Sequence, residues 1–189
     1  MSPTCYGRAF DELISPKRIC ELGPGQPIEA LRPKLRLLTV ESAFAGKRIV
    51  DLQAARCCLA GVWLLHDFLD ESHALSQEIE TAEGSYWHGI MHRREPDYGN
   101  SKYWFRRVGR HGIFPQLLSA AQEVIAASEA QDSFAREIAQ ANLWDPYQFI
   151  DWCEALAHGK AKQRALAEQI AQEEWRLLFA DCYRCAIGD

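Results

Sequence analysis

The sequence predicts an all-α, single-domain fold. Apolar residues recur at i, i+3, i+4 and i+7 along most of the chain. No stretch carries the two-residue alternation and tight turns of a hairpin, and no strand–helix–strand alternation is present. Typical helix lengths divide 189 residues into about six to eight helices around one central apolar helix. The expected organisation is an N-terminal arm over 1–25, packed on the body or on a second subunit, followed by one helical domain over 26–189.

Taken in order, Gly23-Pro24-Gly25 is a loop, and Pro27 or Pro33 opens a helix that ends near Gly46. The residues ahead of Pro33 allow a first turn and a kink before the main helix. A helix over 47–73 is apolar on nearly every side until Leu65, the pattern of a helix surrounded by others. Ser85 is the expected N-cap of a short helix over 86–94 that stops before Pro96. Pro96-Asp97-Tyr98-Gly99-Asn100 reads as a turn, with Asn100 capping a helix from Ser101. Helices over about 115–128 and 132–141 follow. The clearest start is Asp145-Pro146-Tyr147-Gln148, where Asp is N-cap, Pro takes the first helical position and Gln completes a capping box. That helix should stop at Gly159, and a long last helix over about 162–182 turns Leu166, Ile170, Leu177 and Leu178 to the core.

Hydrophobic residues make up 48% and charged residues 25%, as in soluble globular proteins. No apolar run reaches the roughly 18 residues of a membrane span, and the first residues lack the charged start and apolar block of a secretory signal. A cytoplasmic protein with no membrane association is expected. The seven cysteines lack the spacing of a disulfide scaffold: Cys57 and Cys58 read as small buried hydrophobes, and the lone Cys182-x-x-Cys185 has no second pair to make a zinc ribbon. The net charge of −5 hides a basic island. Arg93, Arg94, Lys102, Arg106, Arg107 and Arg110 face only Glu95 and Asp97 within 93–111, while the rest of the chain is acidic. A local positive island on an acidic protein suits a small anionic ligand and disfavours nucleic acid.

Two stretches carry candidate chemistry. His66, Asp70 and His73 share one stripe if the central helix is continuous, and His88 and His92 stand one turn apart on the next helix, with Glu95 one turn further. H-x-x-x-H is the spacing at which two imidazoles reach one metal ion, although Gly89 stands where zincins carry glutamate. The candidate ligands for a divalent metal are therefore His66, Asp70, His73, His88 and His92. His66, Asp70, His88 and the loop carboxylate Asp97 are candidate acid–base groups. Arg93, Arg94, Arg106 and Arg107 offer bidentate contacts to phosphate or carboxylate. Trp87, Tyr103 and Trp104 are candidate pocket walls, and Gly84-Ser85 offers an anion a helix N-terminus. For each residue a purely structural role competes: a His–Asp pair orienting helices, arginines paired with the chain's acids, aromatics in the core.

The string Tyr-Trp-His-Gly-Ile-Met-His-Arg-Arg-Glu-Pro-Asp-Tyr with Ser-Lys-Tyr-Trp-Phe-Arg-Arg-Val-Gly resembles an uncharacterised family of bacterial and fungal proteins. The similar segment reaches back to 66–73 and covers roughly a quarter of the chain. The resemblance implies no catalytic assignment, only that the two stretches belong together. The reading that follows is a hydrolase-type enzyme for a small anionic, phosphorylated or carboxylated metabolite, assisted by a divalent metal. Its alternatives are a non-catalytic binding module for such an anion, and a buried polar network that fixes helix register, in a homodimer for example.

Overall fold

In the computed structural model, which describes residues 6–14, 18–129 and 132–189, the chain is all-α, with no strand among the described residues. Among the described residues eleven α-helices occur where six to eight were expected. Three are single turns: α1 (Arg8–Asp11), α2 (Arg32–Arg36) and α3 (Val40–Ala43). The expected helix from Pro33 to Gly46 divides because Thr39 takes an extended backbone and starts α3, exchanging hydrogen bonds with Ser42 in a capping box. A 3₁₀ turn over Glu29–Leu31 leads into α2, which is the first turn that Pro33 allowed.

The expected continuous helix over 47–73 is two helices, α4 (Leu52–Leu65) and α5 (Leu69–Ser76). Asp51 caps α4 by accepting the Ala54 N–H at 2.9 Å. At its other end Asp67 adopts φ 65°, the left-handed conformation that usually selects glycine. The Asp67 N–H donates to the Leu64 carbonyl and the Phe68 N–H to the Trp63 carbonyl, both at 3.1 Å. Those are the two hydrogen bonds of a Schellman stop, and the Trp63 and Phe68 rings meet edge-on at 5.2 Å as its apolar contact. No glycine marks the stop, so the apolar pattern ran through it.

The next helix, α6 (Ala82–Arg94), begins four residues before the expected start at Tyr86. Thr81 is its N-cap and accepts the Gly84 N–H at 3.1 Å, which places Ser85 inside the helix and buries it. Likewise α7 (Tyr98–Val108) is capped by Asp97, not Asn100: the Asp97 carboxylate accepts the Asn100 N–H at 3.0 Å. Helices α8 (Phe114–Ala126), α9 (Ser133–Gln140) and α10 (Pro146–Ala157) fall close to expectation. Asp145 caps α10 through the Tyr147 N–H at 2.8 Å, while Gln148 donates to Glu137 instead of closing the box. The last helix, α11 (Arg164–Ile187), runs past Cys182 and stops at Gly188 with φ 76°.

Helix α4 is the centre, buried on nearly every side against α5, α6 and α11. Helix α6 packs in turn on α7, α8 on α11, and α10 on α7, α9 and α11. Two glycines make the close approaches possible. A Cβ on Gly61 of α4 would lie 2.8 Å from the Trp87 ring, and one on Gly89 of α6 would lie 2.8 Å from the Phe105 ring. Helix α6 is thereby clamped between α4 and α7, which fixes the direction of its polar side chains.

One apolar core unites the described residues, and it includes Tyr6, Phe10, Leu13, Cys20 and Leu22 of the arm. Phe10 meets Phe44 and Phe179 edge-on at 5.2 Å, so the arm packs on the body of its own chain. Residues 1–5, which carry Cys5 and most of the N-terminal stretch read for a leader, lie outside the described residues. Cys57, Cys58 and Cys182 are buried and Cys185 is exposed. Among the described residues no helix is long and apolar enough to cross a membrane.

Candidate metal centre

Helices α5 and α6 bring three imidazoles together. His73 comes from the last turn of α5, and His88 and His92 stand one turn apart on α6. One nitrogen from each ring lies within 4.8 Å of the other two. The ring centroids are 4.5 Å apart for His73–His88, 5.4 Å for His73–His92 and 4.7 Å for His88–His92. Around a tetrahedral zinc with bonds near 2.0 Å, ligand nitrogens stand roughly 3.3 Å apart. The set is therefore at most about 1.5 Å wider than an ion would require.

The groups behind the rings orient them. The Ser76 hydroxyl has one proton, which the His73 carbonyl accepts at 3.3 Å; its oxygen then accepts the His88 Nδ1–H at 3.1 Å. His92 Nδ1 faces Glu95 Oε2 at 3.1 Å, an Nδ1–H···carboxylate contact of the kind that orients metal-binding histidines. Both α6 imidazoles thus keep the Nε2 lone pair for another partner. The Asn100 amide, 3.0 Å from His92 Nε2, satisfies that lone pair and would have to yield to an ion. Burial, reinforced by His92 and His73, pushes His88 down to about 3, and burial also lowers His92 against the opposing pull of Glu95. These two are neutral imidazoles at pH 7, the state a metal requires. His88 and His92 are buried while His73 is partly open, so the cluster meets solvent on the α5 side. Trp104 covers His88 at a ring distance of 4.0 Å, and the Arg107 guanidinium lies over Trp104 at 5.0 Å.

The remaining candidates are placed elsewhere, each for a physical reason. Once α4 stops at Leu65, the His66–Asp70–His73 stripe no longer exists. His66 Nε2 pairs with the Leu13 carbonyl at 2.9 Å, and Asp70 is exposed in the first turn of α5, where its charge complements the helix dipole. Asp97 is exposed and occupied as a cap. The four arginines do not converge. Arg93 is buried against Glu174, which also accepts the Tyr86 hydroxyl at 3.1 Å, and its guanidinium lies 4.7 Å over Phe149. Arg94 pairs with Asp67 and donates to the carbonyls of Gly23, Pro24 and Leu64. Arg106 and Arg107 are exposed on α7. Trp87 is core, beside Trp175, and Tyr103 is a surface residue. Gly84-Ser85 offers no free helix terminus, because Thr81 fills it.

Residues overlooked in the sequence include Ser76, Asn100, Asp67 and Glu174. Ser76 follows His73 by one turn, a spacing that extending the α5 stripe reaches. Asn100 and Glu174 meet their partners only through tertiary packing, and the sequence carries no sign of them.

Glu83, His111 and Asp181 form a second convergent group. There the Ile113 N–H donates to His111 Nδ1 at 3.3 Å, so Nε2 carries the ring proton and turns it to Glu83 at 3.6 Å. Asp181 accepts from Arg184 at 2.8 Å. His111 therefore presents a proton, not a lone pair, to this group. His111, with smaller help from the backbone and Thr81 and against the effect of burial, holds Glu83 down to about 2. A carboxylate depressed in the folded state contributes stability that is complete above its unfolded value, near 4.5, and is lost as pH falls through about 2. Urea midpoints measured across that window should fall more steeply for the parent protein than for Glu83→Gln; parallel curves would show that the pairing carries no weight.

Comparison with protein-family models, with curated proteins and with solved structures finds no match to this chain.

Proposed function

We propose that the protein is a metal-assisted hydrolase in which His73, His88 and His92 hold a divalent transition metal. The observation that carries this reading is the convergence of three imidazoles from two adjacent helices, two of them buried with Nδ1 committed to Ser76 and Glu95. Three protein ligands leave a position for water or substrate, the arrangement of catalytic and not of structural zinc sites. An all-imidazole set favours zinc, copper, nickel or cobalt over magnesium or calcium. When bound, such an ion lowers the pKa of its water towards neutrality and polarises a carbonyl or phosphoryl oxygen. The chain's own residues would orient the ligands through Ser76 and Glu95, wall the site with Trp104, and attract a small anionic substrate with the exposed Arg106 and Arg107 of α7. The non-catalytic reading also has support. Three cavities of the fold are lined by other parts of the chain and none of them by His73, His88 or His92, which suits metal capture without turnover.

The test begins with metal analysis of untagged protein before and after chelation. Zinc at 100 times its dissociation constant should stabilise the fold by about 2.7 kcal/mol, a rise in melting temperature of about 5–10 °C for a chain of this size. His88→Ala and His92→Ala should each abolish that rise. If no metal co-purifies and zinc, nickel or manganese leaves the melting temperature unchanged, the centre does not exist. A metal response without hydrolysis of phosphate or carboxylate esters by the loaded protein would leave the binding reading and remove the enzymatic one.

A further inference from the structure

We propose that the groove between the α7–α8 turn and the segment over 142–147 binds a small amphipathic anion, an apolar body bearing a carboxylate or sulfonate. The groove has a volume of about 790 Å³, within the roughly 300–1,000 Å³ typical of small-molecule sites. Its walls are mainly apolar and aromatic, with Phe105, Phe114, Leu118, Leu143, Trp144 and Tyr147 among them. Leu143 is 79% exposed at its edge, a large apolar side chain held in solvent.

The polar groups of this groove are unusually uncommitted. Arg110 forms no ion pair or hydrogen bond among the described residues; Arg36, Arg48 and Arg136 share that state, but of the four only Arg110 lines a groove of this kind, while the other arginines have a carboxylate, carbonyl or ring partner. Trp144 is 6% exposed, and its Nε1–H is buried with no acceptor. A buried indole N–H ordinarily finds one, because leaving a desolvated donor unpaired is costly. The core indole of Trp152 also lacks one, but only Trp144 lines the groove. The one carboxylate in the wall, Asp145, is already committed as the cap of α10. The groove therefore offers a cation, an unsatisfied donor and aromatic faces, and its one carboxylate is turned to the N-terminus of α10. A ligand acceptor at Trp144 and a negative group at Arg110 would complete both, while the apolar body fills the aromatic trough. A small molecule matches the enclosed volume and the single free cation. No residue of the groove belongs to the histidine cluster, so the two sites succeed or fail separately.

The probe is 8-anilinonaphthalene-1-sulfonate, titrated by fluorescence into the folded protein, with decanoate as competitor and the uncharged N-phenyl-1-naphthylamine as control. Saturable one-to-one binding, displaced by decanoate, is expected. Arg110→Gln, an exposed position whose change leaves the core untouched, should weaken the sulfonate probe about tenfold and leave the neutral one unchanged. In ¹H–¹⁵N spectra the Trp144 indole signal, assigned by its loss in Trp144→Phe, should shift on binding while the other indoles stay in place. Absence of saturable binding overturns the proposal. So does binding to which either Arg110→Gln or the Trp144 signal is indifferent.

Discussion

Glu174→Leu should destabilise the fold by about 3–5 kcal/mol, the cost of removing one partner of a buried ion pair. Glu174 is fully buried on α11, and Arg93 on α6 is 2% exposed. The two carboxylate oxygens meet both terminal nitrogens of the guanidinium, and Tyr86 donates to one of them. Leucine keeps much of the volume, so the loss reflects an uncompensated cation and an orphaned hydroxyl, with little from a cavity. With 189 residues, a melting temperature lower by roughly 10 °C or more is expected. The combined variant Arg93→Met, Tyr86→Phe and Glu174→Leu should recover most of it, because an apolar replacement of the whole network removes every desolvated polar group at once. A single variant that loses under about 1 kcal/mol would mean that the pair is not closed in solution, since breaking a buried pair costs several times that.

Asp67→Ala should cost a comparable 3–5 kcal/mol, and here the loss has two separable parts. The carboxylate holds Arg94 and Arg18 and accepts the Gln26 N–H at 3.2 Å, so alanine strands a buried guanidinium. Alanine must also adopt the left-handed backbone at φ 65°, a further cost of about 1–2 kcal/mol that glycine avoids. Asp67→Gly should therefore be more stable than Asp67→Ala by about that amount while remaining well below the parent. Equal stability of the two variants would remove the backbone argument. The corner also positions His73: Asp67 ends α4 just ahead of α5, and its partner Arg94 lies two residues beyond His92. Both variants should weaken the thermal response to zinc, including at temperatures where they remain folded, because α5 is then free to shift against α6.

Much of the helical content could be read locally. Asp145-Pro146 acts through backbone capping within a few residues and is recognised from spacing and residue type. Thr39 and Gly188 act over the same short range, yet the expected helices ran through the first and stopped short of the second. The His88–His92 pair is likewise a property of one helix turn. The break at Asp67 escaped notice because it obeys the glycine stop in every hydrogen bond but not in residue identity. What makes aspartate acceptable there is Arg94, distant in sequence. The same break undid the His66–Asp70–His73 stripe, since helical spacing relates side chains only while the helix is continuous. The arginine island was correct as a count of charges, yet two of its members turn inward to Glu174 and Asp67, and charge composition carries no direction.

By itself, the sequence determined an all-α chain with a central apolar helix, and a polar segment over 85–111 that includes two imidazoles one turn apart. Only the tertiary structure decided that His73 joins them, that Asn100, Ser76 and Glu95 surround them, and that Arg93 and Arg94 are held by buried acids. The physical reason is range. Capping and periodicity act over a few residues, whereas the site is assembled where α4 turns a corner and α6 is clamped between Gly61 and Phe105. Those contacts depend on how side chains from separate helices fill one another's space.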